Sequence, residues 1–338
     1  MAETAYNLQF EILCNNLQLG EITAVPEAVS GGLMHKMYAV QTKKGKYAIK
    51  ALNPQIMLRQ TALQNYLNSE KIANVASRHV PALAAKAFNG IFMHNIANQF
   101  YLIFDWIEGV SLKSDELDII NCEKMGRMLA DIHRADFAGL GLAKEGASRS
   151  SLTDWNFYLK KGKQHHSVWL SQLQQHLDQL EDWNAIAISS AIQLESDMVI
   201  SHRDLEPKNV MWKQGNPILI DWESAGYINP MQDLTETAIY WSSDDSGNID
   251  KEKFMAFISG YKSKYGTLRA NWRIVLANGF LGKLDWLEYS LKRSLGIECT
   301  DIEDQKVGTS QVIGTLDALV QYADRITEIE QWLNESDA

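Results

Sequence analysis

The sequence predicts an α+β protein in two lobes, a small N-terminal β-sheet lobe over residues 1–106 and a larger, mostly helical C-terminal lobe over 107–338. Three observations lead there. The chain has 338 residues, about two domains' worth at roughly 150 residues each. Short apolar runs in the first third are broken by polar turn segments, as strands are. Beyond Gly109, apolar residues recur at helical spacing instead.

In order along the chain, Met37–Val40 and Tyr47–Lys50 flank Lys43-Lys44-Gly45, whose glycine can take positive φ, and so predict a β-hairpin. Pro54 to about Arg78 places Ile56, Leu63, Leu67, Ile72 and Val75 broadly on one helical face. Ala82–Phe92 and Phe100–Ile107 are short, aromatic-rich apolar runs and predict a further strand pair. Leu117, Ile120, Met125, Met128, Leu129 and Ile132 open the helical part, and segments 166–196, 250–264 and 310–334 continue it. One strand-like island interrupts the helices, Val210-Met211-Trp212 and Ile218–Asp221 around a Gly215-Asn216-Pro217 turn.

Composition narrows the function. Hydrophobic residues at 46% and charged residues at 22% are ordinary globular usage. A net charge of −10 repels nucleic acid. Ala87–Phe104, an uncharged stretch, carries too many Asn, Gln and Gly to span a bilayer. Cys14, Cys122 and Cys299 show no metal-ligand spacing and read as reduced thiols. With no secretion signal at the N-terminus, the expected location is cytoplasmic. Neither nucleic acid nor membrane is an expected partner.

The informative segment is His202-Arg203-Asp204-Leu205-Glu206-Pro207-Lys208-Asn209, followed twelve residues later by Asp221. With the turn centred on Gly215, opposed positions sum to 430 and Asn209 faces Asp221, Cα atoms roughly 5 Å apart. One amide oxygen and one carboxylate then close one end of the ladder. Hard oxygens so placed suit Mg²⁺, which takes one or two protein ligands and fills its shell with water and phosphate oxygens. Asp204, just outside, is placed to accept the proton of an attacking hydroxyl. On the first hairpin, Ala48 and Lys50 share a face, since residues two apart on a strand do. The small Ala leaves room for a flat base while Lys50 reaches phosphates.

These segments resemble the aminoglycoside phosphotransferase and choline kinase family, within the protein-kinase-like fold. The resemblance rests on the loop Ser30–Tyr38, the strand Ala48-Ile49-Lys50, the segment His202–Asn209, and Ile220-Asp221-Trp222-Glu223 followed by Pro230 and Asp233. It implies that Asp204 is the catalytic base, that Asn209 and Asp221 bind Mg²⁺, and that Lys50 contacts the α and β phosphates of ATP or GTP. It also implies that Glu70 holds Lys50, that Gly31 and Gly32 cover the phosphates, and that Phe104-Asp105-Trp106 form the purine-binding hinge above Met211 and Ile220. Arg203 stands where the family's small-molecule kinases usually have Gly, and Glu206 where His or Lys is more usual. No Ala-Pro-Glu follows Asp221, which disfavours a protein substrate. A regulatory module that binds nucleotide without turnover is the alternative from another class.

The expected activity is therefore phosphoryl transfer from ATP or GTP, with Mg²⁺, to a hydroxyl of a small amine-bearing acceptor such as an aminoglycoside or an amino alcohol. Net negative charge concentrates a cationic acceptor. Glu223 and the C-terminal Asp285, Trp286 and Glu288 are the candidate acceptor residues, because aromatic faces with carboxylates suit amines.

Overall fold

The structure, a computed structural model, describes residues 5–29, 34–143 and 152–337. Its elements in chain order are α1 (Phe10–Asn16), β1 (Glu27–Val29), β2 (Lys36–Thr42), β3 (Gly45–Ala51), α2 (Pro54–Met57), α3 (Ala62–Ala76), β4 (Met93–Ile96), β5 (Gln99–Asp105) and α4 (Ile119–His133). There follow α5 (Trp155–Gln164), α6 (Leu170–Gln175), α7 (Leu177–Leu194), β6 (Val199–Ser201), β7 (Val210–Lys213), β8 (Asn216–Leu219) and β9 (Gly226–Ile228). The last are α8 (Pro230–Ser242), α9 (Lys251–Tyr265), α10 (Trp272–Asn278), α11 (Phe280–Ser294) and α12 (Ile302–Asp337). They form two compact units, Met1–Lys113 with Ala135–Leu142 and His202–Gly226, and the remainder of the chain.

In the first unit, an antiparallel sheet runs in the order β1-β2-β3-β5-β4. Strand alternation gives it two different faces. Val40, Ile49, Ala51, Tyr101 and Ile103 pack against Phe10, Leu13 and Cys14 of α1. Ala48 and Lys50 point the other way, opposite Phe104 and Leu102 of β5. The expected β2–β3 hairpin forms, with Gly45 at φ 155°.

Two expectations are corrected here. Ala82–Phe92 is not a strand: it makes isolated bridges, Ala82 to Leu219 and Phe88 to Ile91, and meets β5 through the Lys86 N–H, which donates to the Ile103 carbonyl at 2.7 Å, while the β5 ladder forms with β4. The bridge at Ala82 matters for grouping. With hydrogen bonds from Leu83 N–H to the Leu219 carbonyl and from Leu219 N–H to the Pro81 carbonyl, both 2.8 Å, it joins β8 to the N-terminal part of the chain. Segment 54–78 is two helices. Asn53 caps α2, and the inward face of α3 is Ala62, Tyr66, Ser69, Glu70, Ile72, Ala73 and Ala76, so that of the expected apolar residues Ile56 and Ile72 are buried while Leu63 is exposed. Polar groups on that face are what the site uses.

The β7–β8 register also differs from expectation. Val210 faces Leu219 and Trp212 faces Pro217, so opposed positions sum to 429. The loop is two residues, Gln214 and Gly215, both at positive φ (51° and 76°), as a type I′ turn demands. The ladder is centred between them, and Asn209 lies against Ile220, whose N–H donates to the Asn209 carbonyl at 2.9 Å. Asp221 then leaves the strand in the left-handed region, φ 62° and ψ 58°.

The second unit is helical. One apolar cluster joins Trp155, Trp169, Leu173, Leu180 and Trp183 to Phe280, Leu284, Leu287, Leu291, Leu316 and Leu319. Helices α4 and α9 cross at two glycines. A Cβ at Gly126 would collide with the Phe257 carbonyl, and one at Gly260 with the Glu123 carbonyl, so only glycine allows this approach. Beside the crossing, buried His133 bonds Tyr261 Oη through Nδ1 at 2.8 Å, and through Nε2 meets Asp233 at 2.8 Å and Ser201 at 3.2 Å. Among the described residues, no helix is long and apolar enough to cross a membrane.

Candidate active site

A cavity of about 520 Å³ opens in the first unit, within the size range of small-molecule sites. Its walls include Ala48 and Lys50 of β3, Glu70 of α3, Phe104-Asp105-Trp106 at the end of β5, and Asn209, Met211, Ile220, Asp221 and Glu223. Residues scattered over more than 170 positions of sequence are thus brought to one place. Gly31 and Gly32 lie outside the described residues.

The segment after β5 must pass close to β7, since Val110 and Trp212 exchange backbone hydrogen bonds of 3.2 and 2.8 Å. A Cβ at Gly109 would lie 3.0 Å from the Trp212 carbonyl. Glycine there lets the segment after Trp106 wall the cavity.

Lys50 is 6% exposed, and its Nζ donates to Asp221 Oδ1 at 2.6 Å and to Glu223 Oε2 at 2.7 Å. Burial by itself would lower the ammonium's pKa, but the two carboxylates more than reverse this and hold it protonated. Two expectations change at this point. In place of Glu70, Asp221 and Glu223 hold Lys50. Glu70 accepts the Ala85 N–H at 2.8 Å, an amide outside any strand ladder. Burial pushes its carboxyl up to about 7, against the opposing pull of the Ala85 amide and Lys50. Glu223, expected at the acceptor, is engaged by Lys50 and lies 3.3 Å from His35 Nε2.

His35 and Tyr66 were not anticipated from sequence as site residues. His35 is 5% exposed. Its Nδ1 accepts the Asn53 N–H at 2.8 Å, and its Nε2 meets Tyr66 Oη at 2.6 Å. Burial first, and the Lys50 charge second, lower its pKa to about 3. A neutral ring whose Nδ1 accepts must carry its proton on Nε2. The ring is therefore a donor beside Glu223. Lys208, also unanticipated, lines the cavity and pairs with Glu206 at 2.8 Å.

The loop before Asn209 is anchored by His202, fully buried, whose Nε2 donates to the Ile220 carbonyl at 2.9 Å and whose Nδ1 accepts the Asp204 N–H at 3.3 Å. Its ring packs on Trp222, centroids 4.6 Å apart. Arg203 adopts φ 64°, a conformation glycine takes without strain. Asn209 Nδ2 donates to Asp204 Oδ2 at 2.9 Å and to the Asp204 carbonyl at 2.8 Å. Burial and then the Glu206 charge raise the Asp204 pKa, Lys208 opposing them.

With both amide hydrogens of Asn209 turned to Asp204, its Oδ1 is the atom left for the cavity. That oxygen and the Asp221 carboxylate form a hard donor pair of the kind Mg²⁺ accepts alongside water and phosphate. Among the described residues, no cluster of three or more His, Cys, Asp or Glu side chains could hold a metal without such help.

Asp285, Trp286 and Glu288 belong to α11 in the second unit. Trp286 Nε1 donates to Gln311 at 3.2 Å. Glu288 accepts the Tyr158 hydroxyl at 2.9 Å and pairs with Lys292 at 2.9 Å. Both side chains serve helix contacts there.

The family model of the phosphotransferase enzyme family matches residues 26–270. A search of curated proteins finds no match. Among solved structures, the chain is similar to a choline kinase from Cryptosporidium parvum Iowa II, with 14% identity, 97% of this chain and 99% of that chain covered, and a TM-score of 0.62. It is similar to a spectinomycin phosphotransferase in complex with ADP and spectinomycin, at 13% identity, 92% and 98% coverage and a TM-score of 0.64. It is likewise similar to a microcompartment-associated aminopropanol kinase, at 15% identity, 94% and 98% coverage and a TM-score of 0.59. The fold is the protein-kinase-like one these small-molecule kinases share.

Proposed function

The chain belongs to the phosphotransferase enzyme family, and on that premise we propose that it moves the γ-phosphoryl group of ATP, with Mg²⁺, to a hydroxyl of a small amine-bearing molecule. One observation carries the reading. Asn209 bonds Asp204 and lines the same cavity as Lys50 and Asp221, so a base, metal ligands and a phosphate-binding cation belong to one constellation.

In this reading the purine lies against Ala48, Phe104, Met211 and Ile220, with the backbone of Asp105 and Trp106 at its edge. Lys50 neutralises the α and β phosphates, exchanging part of its hold on Asp221 and Glu223 for them. Asn209 and Asp221 would hold Mg²⁺, which when bound neutralises phosphate charge. Asp204 orients the acceptor hydroxyl and takes its proton as the new oxygen–phosphorus bond forms and the bond to the β-phosphate oxygen breaks, releasing ADP. A carboxylate whose pKa is raised is the stronger base.

Two things support an amine-bearing acceptor. The net charge of −10 favours cations, and the similar structures are named for choline, aminopropanol and spectinomycin, alcohols that carry nitrogen. Three free cysteines, two of them buried, suit a reducing compartment, and a cytoplasmic location is our reading.

The test is ADP release from Mg·ATP across a panel of choline, ethanolamine, aminopropanol and aminoglycosides, with Asp204→Asn as the blank. Acceptor-stimulated release that the variant lacks is expected and names the acceptor. Nucleotide binding without stimulated release by any panel member would favour a regulatory module instead.

A further inference from the structure

Two lysines are the cations that line the cavity among the described residues, and they differ. Lys50 is buried and already faces two carboxylates. Lys208 has a side chain 50% exposed and one carboxylate partner, Glu206, at 2.8 Å. It sits four residues after Asp204 and directly before Asn209, on the single turn Pro207–Asn209.

The backbone of this turn is fixed while the lysine head is free to reach. Asn209 N–H donates to the Glu206 carbonyl at 2.9 Å, closing the turn. The Lys208 carbonyl accepts the Ser111 hydroxyl at 3.2 Å. A partly solvated ion pair at the end of a four-carbon stem is weak and easily exchanged.

Charge balance gives the exchange a direction. The Glu206 charge works against an ionised Asp204, Lys208 offsets it, and both carboxylates in turn favour the Lys208 ammonium. A triphosphate whose terminal group must come up to Asp204 would otherwise meet two carboxylates. An oxygen-rich dianion is a better partner for an ammonium than one carboxylate.

We propose that Lys208 is a further catalytic residue, whose ammonium leaves Glu206 to bind the γ-phosphoryl oxygens beside Asp204, and that Glu206 is a positioning residue that holds it when no triphosphate is bound. The role rests on the phosphotransferase reading above. During transfer, the ammonium keeps its protons and donates hydrogen bonds to the oxygens that stay on phosphorus, while the acceptor proton goes to Asp204 and ADP leaves.

The test compares Mg·ATP with Mg·ADP binding by calorimetry on the full chain, with kcat measured beside it, for Lys208→Ala, Lys208→Arg and Glu206→Gln. In Lys208→Ala, ATP affinity should fall at least about tenfold while ADP affinity stays within about twofold, because ADP lacks the group Lys208 holds. kcat should fall by a larger factor, and Lys208→Arg should restore the preference for ATP. Glu206→Gln should tighten ATP severalfold by freeing the ammonium. Equal loss of ATP and ADP, or loss of neither, in Lys208→Ala overturns the role. A fall in ATP affinity in Glu206→Gln overturns the positioning of Lys208 by Glu206. An unaltered chain that binds neither nucleotide sinks the phosphotransferase reading and this role with it, and is told apart because the fault shows before any substitution.

Discussion

Two regions of this protein bury titratable groups, and they do so differently. In the first unit, Lys50 meets Asp221 and Glu223 with Glu70 nearby, so carboxylates outnumber the ammonium, and Asp221 keeps 31% of its side chain exposed. In the second, the side chains of His133 and Asp233 are 0% and 3% exposed and find their partners in Tyr261 and Ser201. Closed clusters hold structure. A cluster left with excess negative charge at a cavity wall has room for a counter-ion, which our reading assigns to Mg²⁺ beside the phosphates.

The difference can be broken experimentally. The largest effect is expected from Asp204→Asn, with kcat reduced between about 10² and 10⁴-fold while the melting temperature and nucleotide affinity stay near those of the parent. Normal turnover would remove Asp204 from the mechanism. Asp233→Ala should act in the opposite manner, lowering unfolding free energy by about 2 kcal/mol because it removes a buried hydrogen-bond partner of His133, with kcat per folded molecule retained. A stable variant with poor kcat would erase the distinction between the two clusters.

Glu70 offers a pH-dependent contrast. Its folded pKa, about 7 against an ordinary 4.5, means the folded state binds more protons across that interval. The stability this contributes is full below 4.5 and is lost as pH rises through 7. Glu70→Gln keeps an acceptor for the Ala85 amide and removes the ionisation. Urea unfolding should find it equal to the parent near pH 4 and more stable at pH 8, by on the order of 3 kcal/mol. A constant difference across pH would show that Glu70 does not titrate there.

Gly126→Ala should cost about 2 kcal/mol through overpacking at the α4–α9 crossing, with nucleotide affinity unchanged in calorimetry. The smallest effect is expected at Arg203, held at φ 64°. Arg203→Gly relieves a left-handed residue and should gain up to about 1 kcal/mol; a loss would mean that the contacts of its side chain outweigh the backbone strain.

Much of the site was legible because local pattern encodes it. The hairpin that carries Ala48 and Lys50 follows from alternation around a glycine turn, and the spacing from Asp204 to Asn209 lies within a single loop. Where reading failed, the information was not local. The β7–β8 register shifted by one because Gln214, not only Gly215, adopts positive φ. Ala82–Phe92 has strand-like composition but finds no ladder partner along its length. Of the apolar residues expected to face inward, Ile72 on α3 is buried but Leu63 is exposed, and burial adds Tyr66 and Glu70, which apolar spacing does not mark.

By itself, then, the sequence determined the class of fold and the chemistry on offer, since alternation, helical period and the loop from His202 to Asn209 are properties of neighbouring residues. Only the tertiary structure decided which groups neutralise one another. That Lys50 answers to Asp221 and Glu223 rather than Glu70, and that His35 stands neutral beside them, depends on contacts spanning up to 173 positions. Electrostatics in a buried site follows distance and desolvation, and neither is written in the order of the chain.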